Sequence, residues 1–168
     1  MRRLFAASKE KHYQIDGGMI YFSEGHFIVR MPIGLYDREI AGKSNGRIPS
    51  AQELIMSTNI DVFVKKLANL ETNLAERLEG MFKVNGRTGA VVLETTVKRN
   101  GRPIGDRVVL NGRFYAAAEQ MTRGGNIRIV TRRIDPAIFM SPPDSFASEV
   151  MVIVAPINYR ELPVQDAA

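Results

Sequence analysis

From Met81 to Val154 the chain is a succession of short aliphatic or β-branched runs, separated by turn residues and interrupted once by a helical stretch. The runs are Met81–Val84, Gly89–Val97, Arg107–Leu110, Asn126–Thr131, Ala137–Met140 and Glu149–Val154. Strands this short, joined by turns rather than by a helix at every crossing, cannot build a parallel sheet and require antiparallel pairing. Asn85-Gly86 marks a two-residue hairpin turn, since both residues accept positive φ. Lys98–Gly105 reads as a second turn with basic flanks. The single interruption is a short helix, 112–121, with Asn111 as its cap, Phe114, Ala118 and Met121 at helical spacing and Gly124-Gly125 as its stop.

Upstream, the two β-rich runs within 19–31 flank Ser23-Glu24-Gly25 and read as a hairpin. Residues 32–49 show no sustained period and read as a loop. Ile60, Phe63, Leu67, Leu70, Leu74 and Leu78 recur every three or four positions, so the pattern predicts one long helix over about 59–79. Residues 158–168 read as an acidic tail. A length of 168 residues suits a single domain. The fold class expected is α+β, with antiparallel sheets and two helices packed on one face.

Composition narrows the chemistry. With no cysteine and only His12 and His26, thiolate metal sites, disulfides and a cysteine nucleophile are excluded, and no HExxH pattern is present. No metal or cofactor is expected. Lys9, Glu10 and Lys11 interrupt any apolar stretch after Met1-Arg2-Arg3, and no run of about 20 apolar residues occurs, so a cytoplasmic protein without a membrane span is expected. The net charge of +5 is unevenly placed. Residues 1–82 are near neutral, residues 134–168 carry net −4, and residues 83–133 carry eleven cations, nine of them arginine, against Glu94, Asp106 and Glu119. Arginine is the side chain best matched to bidentate phosphate contact, which makes this middle third a candidate for polyanion binding.

A strand, a short helix and three antiparallel strands, spanning Arg107 to Ile157, resemble the half-domain unit of the DNA sliding clamps. Val109-Leu110-Asn111-Gly112-Arg113-Phe114-Tyr115 is similar to the strand-to-helix entry of the bacterial replicative beta clamp, and Val150–Ile157 is similar to its closing strand. Ser23-Glu24-Gly25-His26, followed by Phe27-Ile28-Val29, resembles a Thr-Asp-Gly-His hairpin of that family, although Phe27 stands where arginine is usual. Together these segments cover roughly half of the chain. The resemblance implies a DNA-clamp-like domain whose helices face duplex DNA and hold its backbone through non-specific, salt-sensitive contacts. It also implies self-association, because known rings contain six such domains, and a replication protein such as a polymerase as partner. Lys65 and Lys66 on the long helix, Lys98, Arg99, Arg102 and Arg107 around the basic turn, and Arg113 and Arg123 on or beside the short helix are the candidates for phosphate contact.

The function expected is therefore non-enzymatic, a processivity or docking factor in replication or repair, of a size that suits a phage product. The alternative is an inhibitor or scaffold that binds protein and intercepts a partner of the replication or defence machinery. Other signals carry less. Gly42-Lys43-Ser44 lacks the earlier glycine of a phosphate loop, since Asp37 stands there. Glu24 and His26 form an acid/base pair only if the hairpin tip brings them together. Asp135 and Asp144 lack a surrounding metal-ligand cluster, and Tyr13, Tyr21, Phe22 and Phe27 suit base stacking or, more simply, a core.

Overall fold

A computed structural model describes residues 12–23, 25–41, 65–66, 72–100, 102–103, 107–130, 137–142, 149–158 and 164–165. The elements used below are β1 His12–Asp16, β2 Met19–Ser23, β3 Phe27–Pro32, α1 Ile33–Glu39, β4 Thr72–Arg77, β5 Phe82–Val84, β6 Arg87–Thr95, β7 Lys98–Arg99, β8 Arg102–Pro103, β9 Val108–Asn111, α2 Gly112–Thr122, β10 Asn126–Val130, β11 Ala137–Met140, β12 Met151–Val154 and β13 Val164–Gln165. Every pairing among them is antiparallel. Ten strands follow one another in the order β1-β2-β3-β12-β11-β10-β4-β6-β5-β13, and β9 adds to β6, while β7 and β8 form a separate two-stranded ribbon. This is the α+β class expected from the strand pattern.

Two-residue turns with positive φ set the local registers. Gly17 and Gly18 (φ +54° and +78°) join β1 to β2 between the paired Asp16 and Met19. Asn85 and Gly86 (φ +50° and +77°) join β5 to β6 between Val84 and Arg87, as their sequence predicts. Alternation then divides the side chains. Ile20, Phe22, Phe27, Val29, Met31, Val91, Leu93, Val108, Leu110, Phe139, Val152 and Val154 share one core, with Tyr36 of α1 and Tyr115, Ala118 and Met121 of α2 packed into it. The intervening positions bury two smaller clusters, one around Met19, Tyr21, Met151 and Ile153 and one around Phe82, Val84, Val92 and Val109.

The topology contains two strand–helix units that exchange strands reciprocally. β3 and α1 precede β4, β5 and β6, and β9 and α2 precede β10, β11 and β12. The first strand of each unit pairs with the last strand of the other, β3 with β12 and β9 with β6, and the central strands β4 and β10 pair together.

Four expectations change. The helix over 59–79 does not run that far: Lys65 and Lys66 are helical, but Thr72–Arg77 is strand β4. Its leucine spacing is compatible with a helix, yet β4 lies between β10 and β6 and satisfies both ladders, and pairing on two sides outweighs local propensity. Within 32–49, Ile33–Glu39 is helical rather than loop, because Pro32 brings an extended N-cap (φ −58°, ψ 140°) and Ile33, Tyr36 and Ile40 meet the core on one face. The 42–49 stretch lies outside the described residues. The tail includes a strand, Val164 and Gln165 pairing with Lys83 and Phe82. The short helix extends to Thr122.

Candidate docking groove and basic surfaces

The start of α2 is fixed by two adjacent residues. Asn111 (φ −65°, ψ 124°) accepts a hydrogen bond at Oδ1 from the Arg113 backbone N–H at 2.9 Å, which satisfies a donor of the first turn. Gly112 lies so close to β6 that a Cβ there would run into the Gly89 carbonyl. The first turn of α2 is thereby drawn against the β5–β6 hairpin. Across from it, the chain leaving β12 is tied down three times: Ala155 N–H donates to His26 O at 2.8 Å, Ile157 N–H to Val109 O at 2.8 Å, and Asn85 Nδ2 to Asn158 O at 2.8 Å.

Between these walls lies an open groove of about 1000 Å³. Val84, Ala90, Phe114, Ala155, Pro156 and Ile157 give it an apolar lining, and Met81 is 43% exposed there. Among the described residues of the lining, the ionisable side chains are those of His26, Arg87 and Arg113, all exposed, and none is an acid. A run of ring contacts supports the wall from the core outward. Tyr13 meets Phe22 at 5.0 Å, Phe22 meets Phe27 at 5.6 Å, Phe27 meets Phe114 at 5.5 Å, and Phe114 meets the His26 ring at 5.7 Å. Such contacts hold Phe114 and His26 in place, so the groove is formed before anything enters it.

The eight residues expected to meet phosphate do not form one patch. Arg113 lies on the groove rim. Arg123, in left-handed conformation (φ +53°), closes the other end of α2 beside a cleft of about 200 Å³ lined by Met31, Leu35 and Met121. Lys65 stands 4.0 Å from Asp16 Oδ2 and Lys66 is exposed beside it. Arg107 Nε donates to Glu94 Oε1 at 2.8 Å, so its charge is already matched. Lys98 and Arg99 form β7 and Arg102 opens β8, where Arg99 is the register partner of Arg102. Tyr13, Tyr21, Phe22 and Phe27 are buried and form core, not a stacking platform. Glu24, Asp135, Asp144 and the 42–44 segment lie outside the described residues. Among the described residues no group of three His, Asp or Glu could hold a metal, and no helix is long and apolar enough to cross a membrane.

Sequence reading missed Arg87, Met81 and Asn85. The Asn85-Gly86 turn signal places a hairpin there but does not show what its flanks face. Outside the groove, shifted titrations belong to tyrosines. Burial raises the phenol of Tyr13 and carries that of Tyr36 well above its ordinary range, with Tyr13 adding to the effect on Tyr36. Tyr115 is pushed up to about 12, first by burial and then by its hydrogen bond to Glu119 Oε1 at 2.9 Å, while Arg77, 5.4 Å above its ring, opposes the shift.

No family model, no curated protein and no solved structure matches the chain.

Proposed function

We propose that the protein is a non-enzymatic docking factor that associates with duplex DNA, clamp-like in architecture, and receives an extended segment of a replication or repair protein in the groove. One observation carries the reading. The three stretches that resemble the sliding clamps, far apart along the chain, meet at this groove: His26 from the first, Asn111 to Phe114 from the second, and Ala155 to Ile157 from the third. The reciprocal strand exchange between two strand–helix units, with α1 and α2 packed into one core, supports the same architecture. An apolar floor rimmed by Arg87, Arg113 and His26 suits a segment with an apolar anchor and acidic flanks. The arginine excess of residues 83–133 supplies the attraction to the nucleic-acid backbone.

Binding to a labelled duplex oligonucleotide at low salt tests the DNA half. Affinity is expected to fall steeply with salt and to be lost on charge reversal at Arg99, Arg102 and Arg113. Affinity that is unmeasurable at low salt, or unchanged by the reversal, sinks it. Pull-down from nuclease-treated lysate separates the protein-directed alternative: an inhibitor or scaffold keeps its partner after nuclease treatment and shows no affinity for duplex DNA.

A further inference from the structure

Building on the docking reading of the groove, we infer that Met81 is a site of reversible oxidation: a peroxide converts its thioether to the sulfoxide, Arg77 holds the new oxygen, and the groove loses its grip on the docked segment. Access to sulfur decides which methionines react. Among the described residues Met19, Met31, Met121 and Met151 are buried, whereas Met81 and Met140 are 43% and 42% exposed. Of these two, Met81 lines the groove. Met140 stands on β11, in register with Asn126 and Met151. Two methionines of equal exposure, one inside the groove and one outside it, separate an effect on docking from a general effect of oxidation.

The local chain brings a guanidinium to that sulfur. Arg77 ends β4, and Gly80 (φ +91°) turns the connection so that Met81, just before β5, comes back beside it. Arg77 Nη2 donates to Met81 Sδ at 3.8 Å, and the same guanidinium lies 5.4 Å from the Tyr115 ring of α2. The aromatic face holds the donor in place. A thioether is a weak acceptor, so the contact does little in the reduced chain. In the oxidation the sulfur lone pair attacks one oxygen of hydrogen peroxide and the O–O bond breaks. The departing hydroxide takes the proton of the transferred oxygen and leaves as water, so sulfur gives up an electron pair and the peroxide gains it. The sulfoxide oxygen is a strong acceptor, and Arg77 offers it a charge-assisted bond. Held that way, the side chain is polar and turned toward β4, and it no longer completes the apolar wall with Val84, Ala90, Pro156 and Ile157.

The test joins peptide mapping by mass spectrometry, after graded hydrogen peroxide, to fluorescence anisotropy with a labelled peptide that has a Leu-Ile-Leu centre and aspartates on either side. Met81 and Met140 are expected to gain oxygen at peroxide levels that leave Met19, Met31, Met121 and Met151 unmodified. At that level the wild-type chain should bind the peptide about tenfold more weakly, the loss of one methionine contact from an apolar interface. Methionine sulfoxide reductase should restore the affinity. M140L should lose as much as wild type, and M81L, with no sulfur in the groove, should bind the same before and after peroxide. R77Q should still be oxidised at Met81 but lose less affinity than wild type, and R77K, which keeps a charged donor, should lose as much. Oxidation of Met81 with unchanged binding overturns the inference and leaves the docking reading intact, as does an equal loss in M81L. A full loss in R77Q overturns the role given to Arg77. Failure of the untreated wild-type chain to bind the peptide removes the docking reading itself, and this inference with it.

Discussion

Two neighbouring residues, Asn111 and Gly112, decide where α2 begins and how near it comes to β6. Replacing the Asn111 cap by alanine leaves a first-turn N–H without its acceptor, a loss of about 1 kcal/mol, and aspartate should restore most of it. Gly112→Ala forces a methyl group against the Gly89 carbonyl, and the backbone must shift. We expect a loss of about 1–3 kcal/mol, comparable to other overpacked sites, read from urea midpoints. The loss should come with weaker binding in the groove, since Gly112 lines it. The buried phenols give a pH signature. Tyr13, Tyr36 and Tyr115 hold their protons more tightly in the folded chain than the ordinary phenol value of 10.0. The unfolded chain therefore binds fewer protons than the native one above that value, and stability falls with rising pH. The stabilisation is fully present below pH 10 and is lost through about pH 12 as Tyr115 ionises. Urea midpoints that stay flat between pH 9 and 12, or a 295 nm absorbance titration with every tyrosine ionising near 10, would contradict this.

At the scale of elements, β4 is the sharpest case of what local pattern cannot decide. Leu74 falls in a helical period with Leu70 and Leu78 on either side of the strand, but β10 and β6, which contribute the partners that make it a strand, come later in the chain. Within the strand, Leu74 and Ala75 fall on opposite faces. Leu74 is 44% exposed, while Ala75 packs against the main core. Leu74→Thr should therefore cost under about 0.5 kcal/mol, whereas Ala75→Asp should destabilise the chain several times more. A leucine on the buried stripe of a helix would reverse that order. Hairpins are legible where a two-residue turn declares itself, as at Asn85-Gly86, because the required positive φ restricts the residue types. Helix α1 is not, because Pro32 at its N-cap and Gly34 in its first turn read as loop residues while the helix is held by Tyr36 in the core. The groove is legible only in pieces. His26, Phe114 and Pro156 each stand in a segment singled out by sequence, but their meeting depends on β3 pairing with β12 and on Ile157 reaching Val109, and no local signal encodes either.

At the scale of the whole molecule, one chain offers one exchanged pair of strand–helix units, and encirclement of a duplex needs several copies arranged with closed symmetry. Self-association follows from the clamp-like reading, and on that reading it would govern how DNA is held. On the DNA-associated reading, an open monomer attracted to the backbone by its basic side chains leaves a closed circle as readily as a linear fragment, because its only hold is electrostatic and screens with salt. A closed ring is held by topology. It escapes linear DNA at the ends, whatever the salt, and persists on a circle at salt concentrations that abolish simple backbone attraction. Light scattering should then report a mass above that of one chain, and a salt wash should strip the protein from linear plasmid while leaving it on the nicked circle. Monomer mass together with equal loss from both forms would remove encirclement and leave a one-sided attachment, with the docking reading standing on the groove alone.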